Sequence, residues 1–474
     1  MYSQLELERG IHFYRSLLSQ YFPFVILSDT CLDSRKFAKQ RPFLSLVLAM
    51  LGCIQDRARQ RALAVACRKY LAVHILQEGE KSLDLLQGLL LKIHWYQIQF
   101  ELPNQRNTFL HLAMAMVVDL ELNKSPLARN RLKNLVAATG VAIDEPPVAL
   151  KDHDLDQKRA FLGCLYLSSV ISKCATHMDG VRFSEHAERC LDHLEASQTA
   201  SDQDAVLMLR LQQTVETFET ARSLYPQAHR AKSLAFDVES SAFGQTSQTN
   251  VMEFLHRWED ELSSYWARVP GNDKTDLLRV QYEYARICLY EISIEESLFE
   301  TPLDRFEILQ KCLTAIKALH TVFMPVTQQP AILLNVPSHL FAQSSHSAFV
   351  AIQLCSVQCT DWSYKVVERE LNLTYIFGQS VRNMDGMVAA YPPEQIPEFF
   401  LRLQPIGRSV QKWYATKLLA WEEGDTAMEA PNEYTTTEHD VDLNFLGQFL
   451  DLDDNMWLQK LLSPGESWED DFAI

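Results

Sequence analysis

The chain contains 474 residues, of which 47% are hydrophobic and 22% are charged, and its formal net charge is −17 at pH 7. This composition is that of a protein that buries a core and stays dissolved, and the length allows about three domains of roughly 150 residues. The negative balance excludes broad nucleic-acid binding by the chain as a whole, because phosphate neutralisation needs an excess of Lys and Arg.

The opening sequence, residues 1–5, lacks the basic and apolar regions of a secretory signal, and Glu6 and Glu8 disfavour a mitochondrial presequence. We therefore expect the chain to begin in the cytosol. The longest apolar runs, 43–54 and 110–120, are shorter than the roughly 20 residues that cross a bilayer. Both are predicted to be buried helices, and no membrane partner is expected.

Helical periodicity dominates the chain, and apolar residues recur three and four positions apart, as at Leu83, Leu86, Leu90 and Ile93. Capping signals agree with this pattern. Pro42 suits the first turn of a helix, Ser82 suits an N-cap, and Gly140 suits a helix end. Since strand patterns with hairpin turns are missing, the predicted fold class is all-α.

The predicted helices of a first lobe, residues 1–225, are 4–20, 42–55, 57–77, 83–98, 106–122, 126–138, 155–175, 184–196 and 203–223. Those of a second lobe, residues 250–424, are 250–268, 275–297, 303–322, 336–358, 362–382 and 397–422. Residues 226–249 are rich in Ser, Gln and Ala and are predicted to be a linker. A solenoid of helix pairs stays open, although no 34-residue repeat supports it.

Three sets of residues could carry chemistry, and each has a plainer structural explanation. His186, Cys190 and His193 share one helical face and could hold a metal, but a fourth ligand is missing and packing is the better interpretation. Cys355 and Cys359, four positions apart, are also expected to share a helical face, and core packing is again favoured. With no C-x-x-C pair, the ten cysteines are expected to be reduced and mostly buried.

Dense Asp clusters are the third set, because all-α enzymes of the terpene-cyclase type bind magnesium through Asp-rich helices. The clusters are Asp152, Asp154, Asp156 and Asp451, Asp453, Asp454. The first is predicted to lie in a loop and the second in an acidic tail, so neither faces a pocket. Phosphate loops, nucleophile elbows and zinc-protease motifs are not found, and the chain is not expected to be an enzyme.

Two basic stretches are interrupted by apolar residues, unlike a compact nuclear-import signal, and are predicted to be solvated helix faces. Their residues are Arg35, Lys36, Lys39, Arg41 and Arg57, Arg59, Arg61, Arg68, Lys69.

Acidity is concentrated in residues 422–474, which hold 15 of the 61 Asp and Glu residues and one of the 44 Lys and Arg residues. The remaining 43 basic and 46 acidic residues leave a net charge of −3. Hydrophobic groups set among the acids are typical of an acidic activation segment, which stays disordered alone and forms a helix in a coactivator groove. The predicted coactivator-binding residues are Leu443, Phe445, Leu446, Phe449, Leu450, Met456, Trp457, Leu461 and Leu462. A C-terminal helix packed on the body is the alternative.

Several stretches of the first lobe carry a family resemblance. They are 13–24 (F-Y-R-S-L-L-S-Q-Y-F-P-F), 41–44 (R-P-F-L), 78–88 followed by Trp95 and Tyr96, 112–120 with Asn123, and 158–169. Together they resemble the middle homology region of fungal zinc-cluster transcription regulators, the fungal-specific transcription factor domain. The resemblance covers about residues 10–200 and fades beyond them.

The resemblance implies a helical regulatory body, action in the nucleus and control of promoters, with no catalytic residue. Family members read DNA through an N-terminal six-cysteine zinc cluster, whereas Cys31, Cys53 and Cys67 are spaced far outside that pattern. We therefore expect either a cluster encoded upstream of Met1 or a regulator without one that reaches promoter DNA through a partner. No cofactor is expected in this chain, and zinc only if the upstream cluster exists.

The sequence thus predicts an all-α activator of RNA polymerase II promoters, in two lobes with an acidic tail at 425–474. Expected partners are coactivator or mediator-type proteins, with a homodimer or a DNA-binding partner also open. The body is predicted to gate the tail until a metabolite or partner binds. The alternatives are a helical scaffold without a transcriptional role and, further away, an all-α enzyme for small molecules.

Overall fold

The structure is a computed structural model that describes residues 2–27, 33–99, 105–126, 128, 152–174, 183–197, 199–234, 251–271 and 275–428. The protein is all-α, as predicted. The helices of its amino-terminal half are α1 Gln4–Phe13, α2 Ser34–Gln40, α3 Pro42–Leu51, α4 Arg57–Leu71, α5 Leu83–His94, α6 Arg106–Asp119, α7 Leu155–Cys174, α8 Glu185–Glu195 and α9 Ala200–Leu234.

The helices that follow are α10 Val251–Arg268, α11 Asp276–Tyr290, α12 Pro302–Thr327, α13 Pro330–Leu333, α14 Ser338–Ser356, α15 Tyr364–Leu371, α16 Leu373–Ala390 and α17 Glu398–Met428. Within the described residues, α9 ends at Leu234, inside the segment predicted to be a linker. The predicted helix 126–138 and the cap at Gly140 lie outside the described residues.

Local sequence signals explain where these helices begin. Ser3 and Glu6 form a reciprocal capping box on α1, which satisfies two backbone amides that the helix itself cannot. Ser82 caps α5 by accepting from the Leu85 amide, and Pro42 occupies the first turn of α3. These two sequence predictions are confirmed.

The predicted helix 362–382 is wrong, because the chain divides it into α15 and α16 at Asn372. Asn372 has a φ of 52°, a left-handed conformation that Asn tolerates better than most residues. Its side chain accepts from the Tyr375 amide, and the Glu368 carboxylate accepts from the Leu373 amide at 2.9 Å. The break is therefore built and capped by local side chains.

Helices from both predicted lobes contribute to one hydrophobic cluster that extends from Leu7 to Tyr414. Hydrogen bonds join the two parts of the chain as well. The Trp95 indole donates to the Asn335 carbonyl at 3.1 Å, and the Gln97 amide donates to the Val336 carbonyl at 2.7 Å. The chain segment before α14 is thus fixed on the end of α5. The division into lobes at residues 226–249 stays a prediction.

None of the helices in the described part of the chain combines the length and the apolar composition needed to cross a membrane. The eight cysteines that the structure describes are free thiols, and six of them are buried. Burial raises the pKa of the Cys164 and Cys355 thiols to about 12, so these groups stay protonated and poorly nucleophilic.

Candidate functional site

The stretches that carry the family resemblance meet in one aromatic core. The Phe22 ring lies 4.5 Å from the His94 ring, and the Phe24 ring lies 5.4 Å from the Tyr166 ring. The Tyr14 hydroxyl closes the turn by donating to the Val25 carbonyl at 2.8 Å. All of these side chains are buried, so they contribute to the packing of the core.

The predicted activation residues, Leu443 to Leu462, lie outside the described residues, which end at Met428. Their role stays a prediction.

The metal-like pattern on α8 separates into two environments. His186 is buried and its Nε2 donates to the Leu122 carbonyl at 3.0 Å, with the Cys190 sulfur 3.6 Å away. His193 is 53% exposed, and its Nδ1 is hydrogen-bonded to the Arg189 carbonyl. Packing of His186 and Cys190 therefore accounts for the pattern, and the three side chains do not converge on one point.

Cys355 and Cys359 do not share a helical face, since α14 ends at Ser356. The Cys355 thiol donates to the Ala351 carbonyl within the helix, and the Cys359 thiol lies 3.6 Å from the Pro302 carbonyl. The shared face inferred from the sequence is wrong because the helix ends three residues before Cys359.

Each member of the first Asp cluster has a structural partner at the start of α7. Asp152 pairs with Lys158 at 2.6 Å, Asp154 accepts from the Gln157 amide, and Asp156 pairs with Arg159. The second cluster lies outside the described residues.

Sequence reasoning missed a group at the end of the π-helical segment Ala72–Gln77. There the His74 Nδ1 lies 2.8 Å from the Glu78 carboxylate and 3.0 Å from that of Glu80. Among the described residues, these are the three side chains whose ligand atoms lie within 4.8 Å of one another. All three are partly or fully solvent-exposed, and a histidine paired with two carboxylates explains the contact.

A groove of about 170 Å³ between α12, α14, α16 and α17 is the clearest candidate binding site. Its walls are mainly apolar and include Phe323, Met324, Phe341, Phe349, Ile376 and Val410. Such concave, mostly apolar surfaces with a few polar groups are the usual form of small-molecule sites.

The polar groups of the groove are few and mostly paired. Asn383 donates to the Thr327 hydroxyl at 2.9 Å, and Gln404 donates to Asp385. His320 is 5% exposed, and its Nε2 lies 3.1 Å from the Ser347 hydroxyl while its Nδ1 has no hydrogen-bond partner. Burial lowers the pKa of His320 to about 4, so the ring is neutral near pH 7.

A second cavity of about 350 Å³ lies on the other side of Phe323, where α11, α12 and α14 meet Gln20 and Tyr21. It is lined by the acidic side chains Asp204 and Asp276 as well as by apolar residues. The sequence predicted room for an effector but identified neither cavity, because the lining residues are ordinary core residues from distant segments.

The all-helical body and its apolar groove belong to a chain that is related in sequence to fungal transcription factors. It is 23% identical over 383 residues to the transcription factor opdL of Penicillium oxalicum, an alignment that covers 78% of this chain and 64% of that protein. It is 22% identical over 332 residues to the transcription factor himD of Aspergillus japonicus, covering 68% and 51% of the two chains.

A third relative, the transcription factor pbcR of Emericella nidulans, is 26% identical over 234 residues, which are 46% of this chain and 30% of that protein. The chain thus spans between about a third and two thirds of the length of these curated relatives. No family model and no solved structure matches it. All three of these relatives are named as transcription factors.

Proposed function

We propose that the protein is a nuclear regulator of RNA polymerase II promoters, in which a helical body of the fungal-specific transcription factor type controls an acidic C-terminal activation segment. The observation that carries the proposal is the alignment with a fungal transcription factor over 78% of the chain. The resembling stretches of residues 10–200, which meet in one buried core, support the same assignment.

Activation is assigned to residues 429–474, the part of the predicted tail at 425–474 that follows the end of α17 at Met428, where Phe445, Phe449 and Trp457 are set among acidic residues. Acidic groups keep such apolar side chains in water until a coactivator groove receives them as the face of a short helix. The partner is therefore a coactivator or mediator-type protein with an apolar groove and a basic rim.

DNA recognition is assigned to a zinc cluster encoded upstream or to a DNA-binding partner. Several basic side chains of the body serve its own structure: Arg59 pairs with Glu6, Arg61 with Glu398, and Arg35 donates to Gln4. With a net charge of −3 for residues 1–421, the body is not the DNA reader. Sequencing the 5′ end of the transcript separates the two routes.

The decisive experiment fuses the full chain, residues 1–428 and residues 429–474 to an unrelated DNA-binding domain and measures a reporter gene. We expect residues 429–474 to activate and residues 1–428 to be inactive. The triple substitution of Phe445, Phe449 and Trp457 by Ala should abolish activation, because the docking face is lost.

A matched control replaces exposed apolar residues of the body, Leu76 (73% exposed) and Leu303 (76% exposed), by Ala in the full-length fusion. These changes should leave reporter activity intact. If no fusion activates under any growth condition, the acidic segment is structural and the helical scaffold alternative replaces this proposal. If deleting residues 1–428 leaves both reporter activity and its inducibility unchanged, the body does not control the activation segment.

A further inference from the structure

The groove between α12, α14, α16 and α17 contains one buried acceptor without a partner. We propose that this groove binds a small, neutral, mainly apolar molecule, about the size of one substituted aromatic ring, whose hydroxyl or N–H group donates a hydrogen bond to His320 Nδ1. Binding of this ligand class stands on the geometry alone, whereas its role as the effector of transcription rests on the proposed function.

The size of the ligand follows from the volume of the groove. An apolar cavity of about 150 Å³ in another protein holds one benzene molecule. A groove of about 170 Å³ therefore has room for one ring with a small substituent. Steroids, nucleotides and long acyl chains are too large for it unless the four helices separate.

The tautomer of His320 fixes the direction of the hydrogen bond. Ser347 has a single hydroxyl proton, which it donates to the Ser344 carbonyl at 2.7 Å. Its oxygen can then only accept from His320 Nε2 at 3.1 Å, so Nε2 carries the ring proton. His320 Nδ1 is left as a bare acceptor that is unpaired and closed to water, so a ligand donor reaches it only when the side chains around it shift. Leaving such an atom unpaired costs free energy, which a ligand donor recovers.

The charge of the ligand follows from the lining. Among the described residues that line the groove, none is a Lys, Arg, Asp or Glu. Burial also keeps the His320 ring neutral near pH 7, because it lowers the pKa of that group to about 4. A charged ligand would lose its hydration without gaining a counter-ion, so a neutral ligand is strongly preferred.

The position of the groove connects a ligand to the C-terminal segment. Leu403, Gly407 and Val410 line the groove and belong to α17, the helix that continues to Met428 and leads into residues 429–474. A ligand that fills the groove therefore contacts the helix from which the proposed activation segment extends.

Three probes of similar size test the chemistry on the purified full-length chain by calorimetry and thermal unfolding. Phenol has a ring and a donor, anisole has the ring without the donor, and benzoate is charged. We expect phenol to bind about tenfold more tightly than anisole, because only phenol satisfies His320 Nδ1, and benzoate not to bind. Equal binding of phenol and anisole by the wild-type protein would overturn the proposal.

Methyl NMR on the wild-type protein locates the bound probe without any variant in the groove. Met324 and Met384 line the groove, Met208 lines the second cavity, and Met50 is fully buried in the amino-terminal core. Phenol should shift the methyl signals of Met324 and Met384 and leave those of Met208 and Met50 in place. A shift confined to Met208 would assign the probe to the other cavity and refute the groove as its site.

Two substitutions refine the result. His320→Leu removes the acceptor and should make phenol and anisole bind with equal affinity. Gly407→Leu fills the groove and should abolish binding of both, whereas Gly407→Ala is the control, since its Cβ would lie 3.6 Å from the nearest Val381 atom. Inactive reporter fusions would refute the proposed function and leave the binding results unaffected. Absence of phenol binding would refute the ligand proposal and leave the proposed function unaffected.

Discussion

The amino-terminal core and the groove bury the same kinds of side chain at different packing densities. A Cβ atom added at Gly10 in α1 would lie 2.1 Å from the Leu48 carbonyl oxygen of α3, and one added at Gly163 in α7 would lie 2.7 Å from the Phe24 Cβ. Beside the groove, a Cβ added at Gly407 would make an ordinary contact at 3.6 Å with Val381, and the groove itself leaves about 170 Å³ open. The first region has no spare volume, and the second has space left.

This difference separates the scaffold from the site. Residues that carry the family resemblance, such as Phe22, Phe24, Trp95 and Tyr166, lie in the dense region, where one added methyl group is felt. The stretches of residues 10–200 that carry the motif resemblance therefore lie in the densely packed scaffold, whereas the groove is built from residues 320–410.

Acidification should cause the largest loss of stability, because both regions contain buried histidines that are neutral in the folded protein. Burial holds the pKa of His94 well below its ordinary value and lowers the pKa of His339 to about 3 and that of His320 to about 4. The unfolded chain binds these protons near pH 6.5, so stability is complete above that pH and falls as the pH drops towards 4. Each histidine contributes up to roughly 1.4 kcal/mol per pH unit, which amounts to at most about 5 kcal/mol for all three between pH 6.5 and pH 5.

Urea unfolding at pH 7 and pH 5 measures this loss, and His320→Leu isolates the groove. The variant should lose the His320 share of the pH dependence, whereas Asp84 and Glu283, whose pKa burial raises, titrate equally in both proteins. An unchanged slope would mean that water reaches His320, and the groove would then be wet.

Glycine substitutions test the density difference directly. Gly10→Ala should destabilise the protein by about 3 kcal/mol, because the new methyl group meets the backbone of α3, which cannot rotate away. Gly407→Ala places the same methyl group beside the groove, where the nearest atom is in Val381 at 3.6 Å, and should stabilise by about 0.5–1 kcal/mol through helix propensity. The free energy of unfolding in urea distinguishes the two. Similar values for both variants would contradict the comparison.

Much of the fold could be predicted from sequence, because caps and apolar periodicity act locally. Ser82 and Pro42 mark helix starts that depend only on neighbouring residues. The break at Asn372 was missed because Leu371 and Leu373 continue an apolar helical pattern on either side of it. The break depends on the left-handed conformation of this one residue, and the spacing of apolar residues carries no information about that conformation.

The groove could not be predicted, since its walls come mainly from four helices between His320 and Val410, and its common apolar residues and few polar ones form no sequence motif. One signal was present in the sequence. His320 lies between Leu319 and Val322 in an apolar stretch, and a polar residue in such a place needs a partner. Its unpaired atom depends on Ser347, which is 27 residues away, and no local pattern encodes that distance.

Asp84 tests how the dense region satisfies its helix ends. Its carboxylate, in the first turn of α5, accepts from the Phe43 amide at 2.8 Å and from the Leu44 amide at 3.0 Å at the start of α3. Asp84→Ala leaves two buried amides unpaired and should cost about 1–3 kcal/mol in unfolding free energy. Asp84→Asn keeps one acceptor and should cost less. If Asp84→Ala were as stable as the wild-type protein, the two hydrogen bonds of the cap would contribute nothing to stability.

The smallest effect is expected at the ion pair between Arg61 of α4 and Glu398 at the start of α17, which links the dense region to the helix beside the groove. Arg61 is 62% exposed, so solvent and salt weaken the attraction. A double-mutant cycle with Arg61→Ala and Glu398→Ala should give a coupling of about 0.5 kcal/mol that declines with added salt. A coupling above about 2 kcal/mol would mean that α4 holds α17 in place. The groove would then be a rigid part of the scaffold, and a bound ligand would have little freedom to change the position of α17.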